Sequence, residues 1–180
     1  MFFRQYYLAC LSHASYLIGD LASGRAVGVD PQRDIAEYLA DAEANGLRII
    51  KVLETHFHAD FLSGHLELAA RTGAAIGYGA AALGRTEFPI ETFADGERIH
   101  LGDGDAGVNL EIRETPGHTP ESISIVVRPD GMTSEPYGVL TGDTLFIGDV
   151  GRPDLLSSVG VTADDLGRQL FHSLRDKLLT

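Results

Sequence analysis

Two histidines and one carboxylate stand at alternate positions just after an apolar stretch of this sequence. Residues 47–53 have the pattern of a buried strand, and His56, His58 and Asp60 follow it directly. Alternate side chains of an extended segment point the same way, so the two imidazoles can approach one metal ion. Asp60 then adds a ligand or orients an imidazole. The alternative is a solvated loop whose histidines bind nothing.

Two later segments place further ligand types at strand ends. His118 follows a Pro-Gly pair in residues 114–120, and Asp143 lies in residues 141–144 after an apolar strand. The Pro-Gly turn aims the His118 ring. A buried carboxylate is costly unless it meets a cation, although it can also cap the backbone amides of a turn. Ligands of open α/β sheets bind at the carboxyl ends of strands, so three converging strand ends predict a metal site.

Strands and helices alternate in the first half of the sequence, and strands dominate the second half. Helices are predicted from Asp34 to Asn45-Gly46, from Ser63 (with Glu67 as capping partner) to Thr72-Gly73, and from Thr162 onwards. The last helix is expected to bury one stripe, consisting of Leu166, Leu170, Phe171, Leu174 and Leu178. Strands are expected at residues 2–9, 13–19, 26–30, 47–53, 75–78, 97–101, 108–115, 122–128 and 137–141. This mixture indicates an α/β (α+β) fold.

The composition indicates one soluble globular domain and argues against several classes of partner. Of 180 residues 44% are hydrophobic, and 14 Lys and Arg stand against 26 Asp and Glu, a net charge of −12. That charge disfavours nucleic acid and membrane surfaces, because both attract basic proteins. No apolar run approaches the roughly 18 residues of a membrane span. The single cysteine, Cys10, fits a reducing compartment, so we expect a cytoplasmic protein in which Cys10 is buried and inert.

The order HxHxD, PGH, GD within this strand pattern resembles the metallo-β-lactamase superfamily. The resemblance covers nearly the whole chain and implies an αββα sandwich with the metal at the edge of two sheets. Residues 1–180 are then one metallo-β-lactamase-like domain, the N-terminal part of a longer chain whose C-terminal segment is missing. Dinuclear hydrolases of this superfamily, such as glyoxalase II, have a metal-binding histidine where this sequence has Phe61. Phe61 therefore favours a mononuclear centre.

Residues 56–65 (HFHADFLSGH) and 141–154 (TGDTLFIGDVGRPD) are similar to the persulfide dioxygenase branch, which is often fused to rhodanese domains. That resemblance implies one Fe(II) per chain, although zinc can occupy purified material. It implies that the metal ligands are His56, His118 and Asp143. It also implies that His58 and Asp60 are catalytic residues near the metal and that Arg152 binds the substrate. Two imidazoles and one carboxylate form the triad of non-haem Fe(II) oxygenases, which leaves positions for substrate sulfur and O2.

The function expected from this resemblance is oxidation of a low-molecular-weight thiol persulfide, such as glutathione persulfide, by O2 to sulfite and thiol. Arg152 suits a substrate carboxylate, but a salt bridge to Asp149 or Asp154 is an equal alternative. A glyoxalase II-like thioester hydrolase and a non-catalytic module serving a rhodanese partner are the competing functions. A rhodanese domain in the same or another chain is an expected partner, and the sequence leaves homo-oligomerisation open.

Overall fold

The computed structural model describes residues 1–104, 106–131, 133–156 and 160–180. Its strands are β1 (Phe2–Leu8), β2 (His13–Asp20), β3 (Arg25–Val29), β4 (Arg48–Leu53), β5 (Ala75–Gly79), β6 (Glu91–Phe93), β7 (Arg98–His100), β8 (Asn109–Glu114), β9 (Ile123–Arg128), β10 (Gly138–Leu140), β11 (Leu145–Phe146) and β12 (Asp149–Val150). Its helices are α1 (Ala36–Ala44), α2 (His65–Thr72) and α3 (Ala163–Ser173), with a 3₁₀ turn at Ala80–Ala82 and a π-helical segment at Leu174–Leu178. None of the helices in the described ranges is long and apolar enough to span a membrane.

The strands form two main sheets. The larger sheet has the order β1-β2-β3-β4-β5-β6, with antiparallel pairs from β1 to β3 and parallel pairs from β3 to β6. The smaller sheet has the antiparallel order β10-β9-β8-β7, and β11 pairs with β12 in a separate hairpin. The parallel strands β3, β4 and β5 end at one edge of the large sheet, where ligands usually bind.

Alternate side chains of the large sheet enter two different cores. Val27 and Leu53 face the small sheet and pack in the cluster that contains Leu110. Ala26 and Val52, one position earlier, face α1 and α2 on the opposite side. α3 lies against the β8–β9 connection of the small sheet, where Ser173 Oγ donates to the Pro116 carbonyl at 2.7 Å. The expected αββα sandwich is confirmed.

The two early helices begin and end close to the predicted positions. Ser63 Oγ accepts the His65 N–H at 3.2 Å at the start of α2, and α1 ends at Ala44 with Asn45 as its C-cap, followed by Gly46. The predicted pairing of Glu67 with Ser63 is wrong, because Glu67 forms an ion pair with Arg33. Ser63 instead donates to Glu54, so its hydroxyl connects the helix start to a buried carboxylate.

The predicted apolar stripe of α3 is partly wrong. Leu166 and Leu170 are buried, but Phe171 is 56% exposed and Ser173 takes the third buried position of this helix. Positions 166, 170 and 173 follow the spacing of one helix face, and Phe171 lies one residue off that face. From Leu174 the chain continues as a π-helical segment with wider turns, and Leu174 and Leu178 are only half-buried there.

Two further differences concern short-range features. Cys10 is exposed in the turn between β1 and β2, so the prediction of a buried thiol is wrong. The predicted strand to residue 9 ends at Leu8, and this places Cys10 outside the sheet. The short strands β6, β11 and β12 were not predicted, because two or three residues carry too little periodic pattern to identify a strand.

Candidate metal centre

Three loops from both sheets bring His56, His118 and Asp143 together; we call these three residues the metal group. His56 follows β4, His118 lies between β8 and β9, and Asp143 follows β10. The Asp143 Oδ2 atom lies 3.4 Å from His118 Nε2 and 3.8 Å from His56 Nε2. Ligand bonds of about 2.1 Å place neighbouring ligand atoms roughly 3.0–3.4 Å apart around one ion. Both distances to Asp143 are thus near those of ligands around one cation, and all three ligand atoms lie within 4.8 Å of one another.

The imidazoles of His56 and His118 both carry their proton on Nδ1, because a neutral oxygen accepts a hydrogen bond from that atom. The Thr55 hydroxyl donates to Asp30 Oδ2 at 2.8 Å, so it accepts from His56 Nδ1 at 3.0 Å. His118 Nδ1 donates to the Arg152 carbonyl at 3.1 Å, since a carbonyl only accepts. Both Nε2 atoms consequently carry a lone pair toward Asp143. Burial, together with the nearby His58, lowers the pKa of His56 to about 3.

Two glycines let the backbone approach the metal group closely. Gly142 has φ +47°, and a Cβ there would lie 2.6 Å from Thr55 Oγ1. A Cβ on Gly151 would lie 1.7 Å from the Asp143 carbonyl oxygen. The Asp143 side chain is 37% exposed, and burial is the largest cause of its raised pKa. The two glycines thus allow the Asp143 carboxylate to lie where a bound cation would stabilise its negative charge.

The predicted catalytic residues, His58 and Asp60, have surroundings that differ from those of the metal group. His58 Nε2 faces away from it, toward Asp30 Oδ1 at 3.0 Å and Glu54 Oε2 at 3.3 Å. Burial alone would lower the pKa of His58, but the two carboxylates raise it to about 10. Asp60 is exposed and lies on the walls of two clefts that meet at Asp143. His58 is therefore held by carboxylates, and Asp60 faces the space above the metal group.

Arg152 contributes its carbonyl to His118 and its side chain to a different partner. Its guanidinium is 66% exposed and binds both oxygens of Asp154, at 2.7 and 2.9 Å. Asp149, the other predicted partner, accepts the backbone N–H of Val150. The salt bridge considered as an alternative for Arg152 is thus present with Asp154, at the rim of a cleft of about 370 Å³ that also contains His118.

Buried carboxylates beside the metal group were not predicted from the sequence. Asp30, Glu54 and His58, which we call the acid group, place one ligand-type atom each within 4.8 Å of the others. Burial is the largest cause that raises the pKa of Glu54 to about 7. Burial opposes the ionised form of Asp30 as well, yet His58 and the Thr55 amide hold its pKa below the ordinary value. The available signal was the position of Asp30 and Glu54 at the ends of β3 and β4.

Two clefts meet at the metal group. The larger has a volume of about 740 Å³ and is lined by aromatic, apolar and acidic side chains, among them Tyr7, Tyr16 and Asp30. The smaller contains His118, Val150 and Arg152. Phe146, on the β11–β12 hairpin, contributes to both, so this hairpin lies between them. A bound ion would be accessible from two directions.

Comparison with known proteins fits this arrangement. Residues 23–180 match the sequence model of the metallo-β-lactamase superfamily. The chain belongs to the metallo-β-lactamase superfamily. The crystal structure of a metallo-β-lactamase from Staphylococcus aureus superposes with a TM-score of 0.85 at 38% identity, covering 97% of this chain and 51% of that one. The superfamily's fold and the candidate metal group thus occur together here.

Curated relatives in the superfamily belong to two functional classes. The mitochondrial persulfide dioxygenase ETHE1 of Bos taurus is 31% identical over 168 residues, covering 92% of this chain and 58% of the relative. A hydroxyacylglutathione hydrolase of Nitrosococcus oceani is 31% identical over 138 residues, covering 77% and 49%. This metallo-β-lactamase chain spans about half the length of such relatives. The choice between oxygenase and hydrolase rests on the site itself.

Proposed function

We propose that this chain carries the catalytic centre of a mononuclear iron persulfide dioxygenase. The observation that carries the proposal is the donor set of the metal group, two imidazoles and one carboxylate, beside Phe61. The Phe61 ring packs 4.5 Å from the His58 ring and 3.9 Å from the His13 ring, centroid to centroid. Phenylalanine offers no metal ligand, so the donor set favours one ion. The similarity to persulfide dioxygenase ETHE1 supports the same choice.

The residues present fit Fe(II). Two histidines and one carboxylate on one side of an ion leave positions open for reactants. Iron, when bound, supplies the one-electron chemistry that lets O2 react with a closed-shell sulfur compound. His56 and His118 present unprotonated Nε2 atoms, because Thr55 and the Arg152 carbonyl hold the proton at Nδ1. Asp143 provides the compensating negative charge.

The proposed reaction converts a persulfide, O2 and water to a thiol, sulfite and two protons. The outer sulfur transfers four electrons to O2, the S–S bond breaks, and water provides the third oxygen of sulfite. Asp60, exposed at both clefts, is positioned to accept a proton from that water. Within the acid group, the buried carboxylates of Asp30 and Glu54 keep His58 in place.

Arg152 is proposed to bind a carboxylate of the thiol. Its bidentate pair with Asp154 shows that the guanidinium can present both nitrogens to a carboxylate at the mouth of the smaller cleft. Exposed ion pairs of this kind are weak because water and salt screen them, so a substrate carboxylate can replace Asp154. A thiol such as glutathione, which bears carboxylates, fits this exchange. A rhodanese domain is the proposed partner that exchanges the sulfur.

The test is metal analysis of anaerobically purified protein combined with O2 uptake on addition of glutathione persulfide. We expect about one iron per chain and one O2 consumed per sulfite released. His118→Ala should lose both the iron and the uptake, while His100→Ala, in β7 of the small sheet, should retain both. Iron-loaded protein that consumes no O2 with any low-molecular-weight persulfide would contradict the proposal.

The hydrolase remains the second candidate because of the hydroxyacylglutathione hydrolase relatives. A hydrolase would cleave S-lactoylglutathione without O2 and would work with zinc. Phe61 argues against it, since a second metal would lack that ligand. Thioester cleavage by the zinc-loaded chain, with no O2 uptake by the iron-loaded chain, would establish the hydrolase instead.

A further inference from the structure

Glu121 is a buried carboxylate for which the proposed reaction has no use. It lies three residues after His118, and its side chain is fully buried. One oxygen, Oε1, accepts the backbone N–H of Phe57 at 3.0 Å. The other, Oε2, accepts from Arg85 Nη1 at 2.6 Å. Burying a carboxylate is costly unless every oxygen has a partner, and here both have one.

Arg85 holds Phe57 from a second side. Its guanidinium lies 4.9 Å from the centroid of the Phe57 ring, and that ring packs against Tyr78 at 4.9 Å. The Phe57 backbone and ring are therefore both fixed by one ion pair. Arg85 itself is 40% exposed, so the ion pair is buried at the carboxylate end only. We call Glu121, Arg85 and Phe57 the clamp.

The clamp joins two of the loops that form the metal group. Phe57 stands directly after His56, and Glu121 shares a loop with His118. A Cβ on Gly79, at the end of β5, would lie 2.5 Å from the Glu121 carbonyl oxygen, so this loop is pressed against the large sheet. Beside the clamp, a backbone bond from Ile123 N–H to the Thr55 carbonyl at 2.9 Å joins the same two loops. The clamp therefore connects the loop that contains His56 to the loop that contains His118.

We propose that Glu121 is a positioning residue that sets the distance between the His56 and His118 rings and thereby the affinity and geometry of the metal site. Groups behind the ligands typically change metal affinity 10- to 100-fold when removed, because they orient the ligands. This proposal rests on the metal group binding an ion, but it is independent of whether the ion serves an oxygenase or a hydrolase.

The test uses Co(II) as the probe, with its visible absorption as the readout of ligand geometry. Apo protein is titrated with Co(II), and the thermal midpoint of each apo variant is measured alongside. Glu121→Ala loses both contacts, and we expect about 10- to 100-fold weaker Co(II) binding with an altered spectrum. Glu121→Gln keeps an oxygen for the Phe57 N–H, and we expect it to restore Co(II) affinity to within about threefold of wild type.

A control and a second variant separate positioning from general loss of stability. Glu111→Ala removes a half-buried carboxylate of β8 that pairs with Arg113 and Arg128, away from both loops. It should lower the thermal midpoint without changing the Co(II) spectrum or affinity. Arg85→Met keeps an apolar cover on Phe57 and should weaken Co(II) binding several-fold, even if Glu121→Ala does not fold.

Two outcomes would overturn the role of Glu121. One is wild-type Co(II) affinity and spectrum in Glu121→Ala, or in Arg85→Met where that variant alone folds. The other is an equal loss of Co(II) affinity in Glu111→Ala. Wild-type protein that binds no Co(II), or His118→Ala that binds it normally, would instead refute the metal group itself, so the two failures are distinguishable.

Discussion

The metal group and the acid group lie side by side and contain the same residue types, yet their imidazoles differ in protonation. His56 donates its Nδ1 proton to the Thr55 hydroxyl and has a pKa of about 3. His58, two residues later, places Nε2 between two carboxylates and has a pKa of about 10. Burial and the nearby His58 thus keep the His56 imidazole neutral, with the Thr55 hydroxyl holding its proton at Nδ1, whereas two carboxylates outweigh burial and make His58 a cation. The partner, more than the residue type, determines the role of each histidine.

Removing Asp30 should have the largest effect on stability and metal content, because Asp30 belongs to the acid group and also binds Thr55, the partner of His56 in the metal group. Its Oδ1 accepts the Thr55 N–H at 2.7 Å and its Oδ2 accepts the Thr55 hydroxyl, while His58 pairs with the same carboxylate. Asp30→Ala leaves His58 short of a buried counter-charge, and such losses cost about 3–5 kcal/mol. Urea unfolding and metal analysis should show lower stability and little bound metal.

Asp30→Asn provides the matched control, because it keeps one oxygen acceptor in the same volume. It should recover part of the stability that Asp30→Ala loses. Equal stability of Asp30→Ala and wild type would show that the two groups do not depend on this carboxylate.

Thr55→Val should affect the metal group more than the acid group, because Asp30 keeps the Thr55 N–H and His58 as partners. The substitution preserves the shape of the side chain but removes the acceptor for His56 Nδ1. The imidazole is then free to change tautomer, and we expect about 10- to 100-fold weaker metal binding. Competition with a chromophoric chelator measures the affinity. Thr55→Ser retains the hydroxyl and should bind metal like wild type. Binding by the Ser variant as weak as by the Val variant would contradict the role of the hydroxyl.

The acid group should appear in the pH dependence of the metal-free protein. The folded-state pKa of His58, about 10, lies above its ordinary value of 6.5, so this stabilisation is complete below pH about 6.5 and is lost as the pH rises to about 10. The raised pKa of Glu54, about 7, acts in the same direction between pH about 4.5 and 7. Unfolding midpoints in urea with chelator should therefore fall between pH about 6.5 and 10, whereas below pH about 6.5 the lowered pKa of His56 opposes the effect of Glu54.

His58→Gln should flatten the alkaline part of that profile. His172→Gln serves as the control, since His172 is exposed and its contacts with Asp176 and Arg175 lie at the surface. An unchanged profile in His58→Gln would show that the two carboxylates do not hold a charged imidazole.

Arg152→Ala should have the smallest effect on the metal group. His118 depends on the Arg152 carbonyl, which every residue type provides. We expect metal affinity within about twofold of wild type and an unchanged urea midpoint, because the Arg152 side chain forms its ion pair at the surface. The KM for glutathione persulfide should rise while the iron content stays constant. A loss of iron would show that the guanidinium, too, supports the metal group.

The sequence predicted the parts of the site that follow from local pattern. Strand ends place His56, His118 and Asp143, and apolar periodicity identifies β4 and the helices that surround it. The contacts that assign protonation come from residues distant in sequence: Asp30 to His58, and the Arg152 carbonyl to His118. No local pattern records which distant oxygen faces which ring nitrogen, so the opposite states of the histidines required the structure.

The wrong prediction for Phe171 and the unpredicted role of Glu121 also reflect the limits of local sequence pattern. Phe171 is apolar and near the α3 stripe, but a one-residue offset places it outside the buried face. The sequence carries no local signal for the burial of Glu121, whose two oxygens are bound by Arg85, 36 residues earlier, and by the Phe57 amide. Periodicity predicts which apolar residues share one face of a helix or strand. Which polar residues are buried depends on partners from other loops.

The close approach at Gly142 and Gly151 has a consequence for how this site tolerates mutation. Neither residue has a side chain that could bind, donate or accept, yet a single added carbon at either position would overlap Thr55 or the Asp143 backbone. In a saturation scan, these two positions should therefore be as intolerant as the histidines themselves. What these two positions contribute to the candidate centre is the lack of a side chain, which leaves the room that Thr55 and the Asp143 backbone occupy.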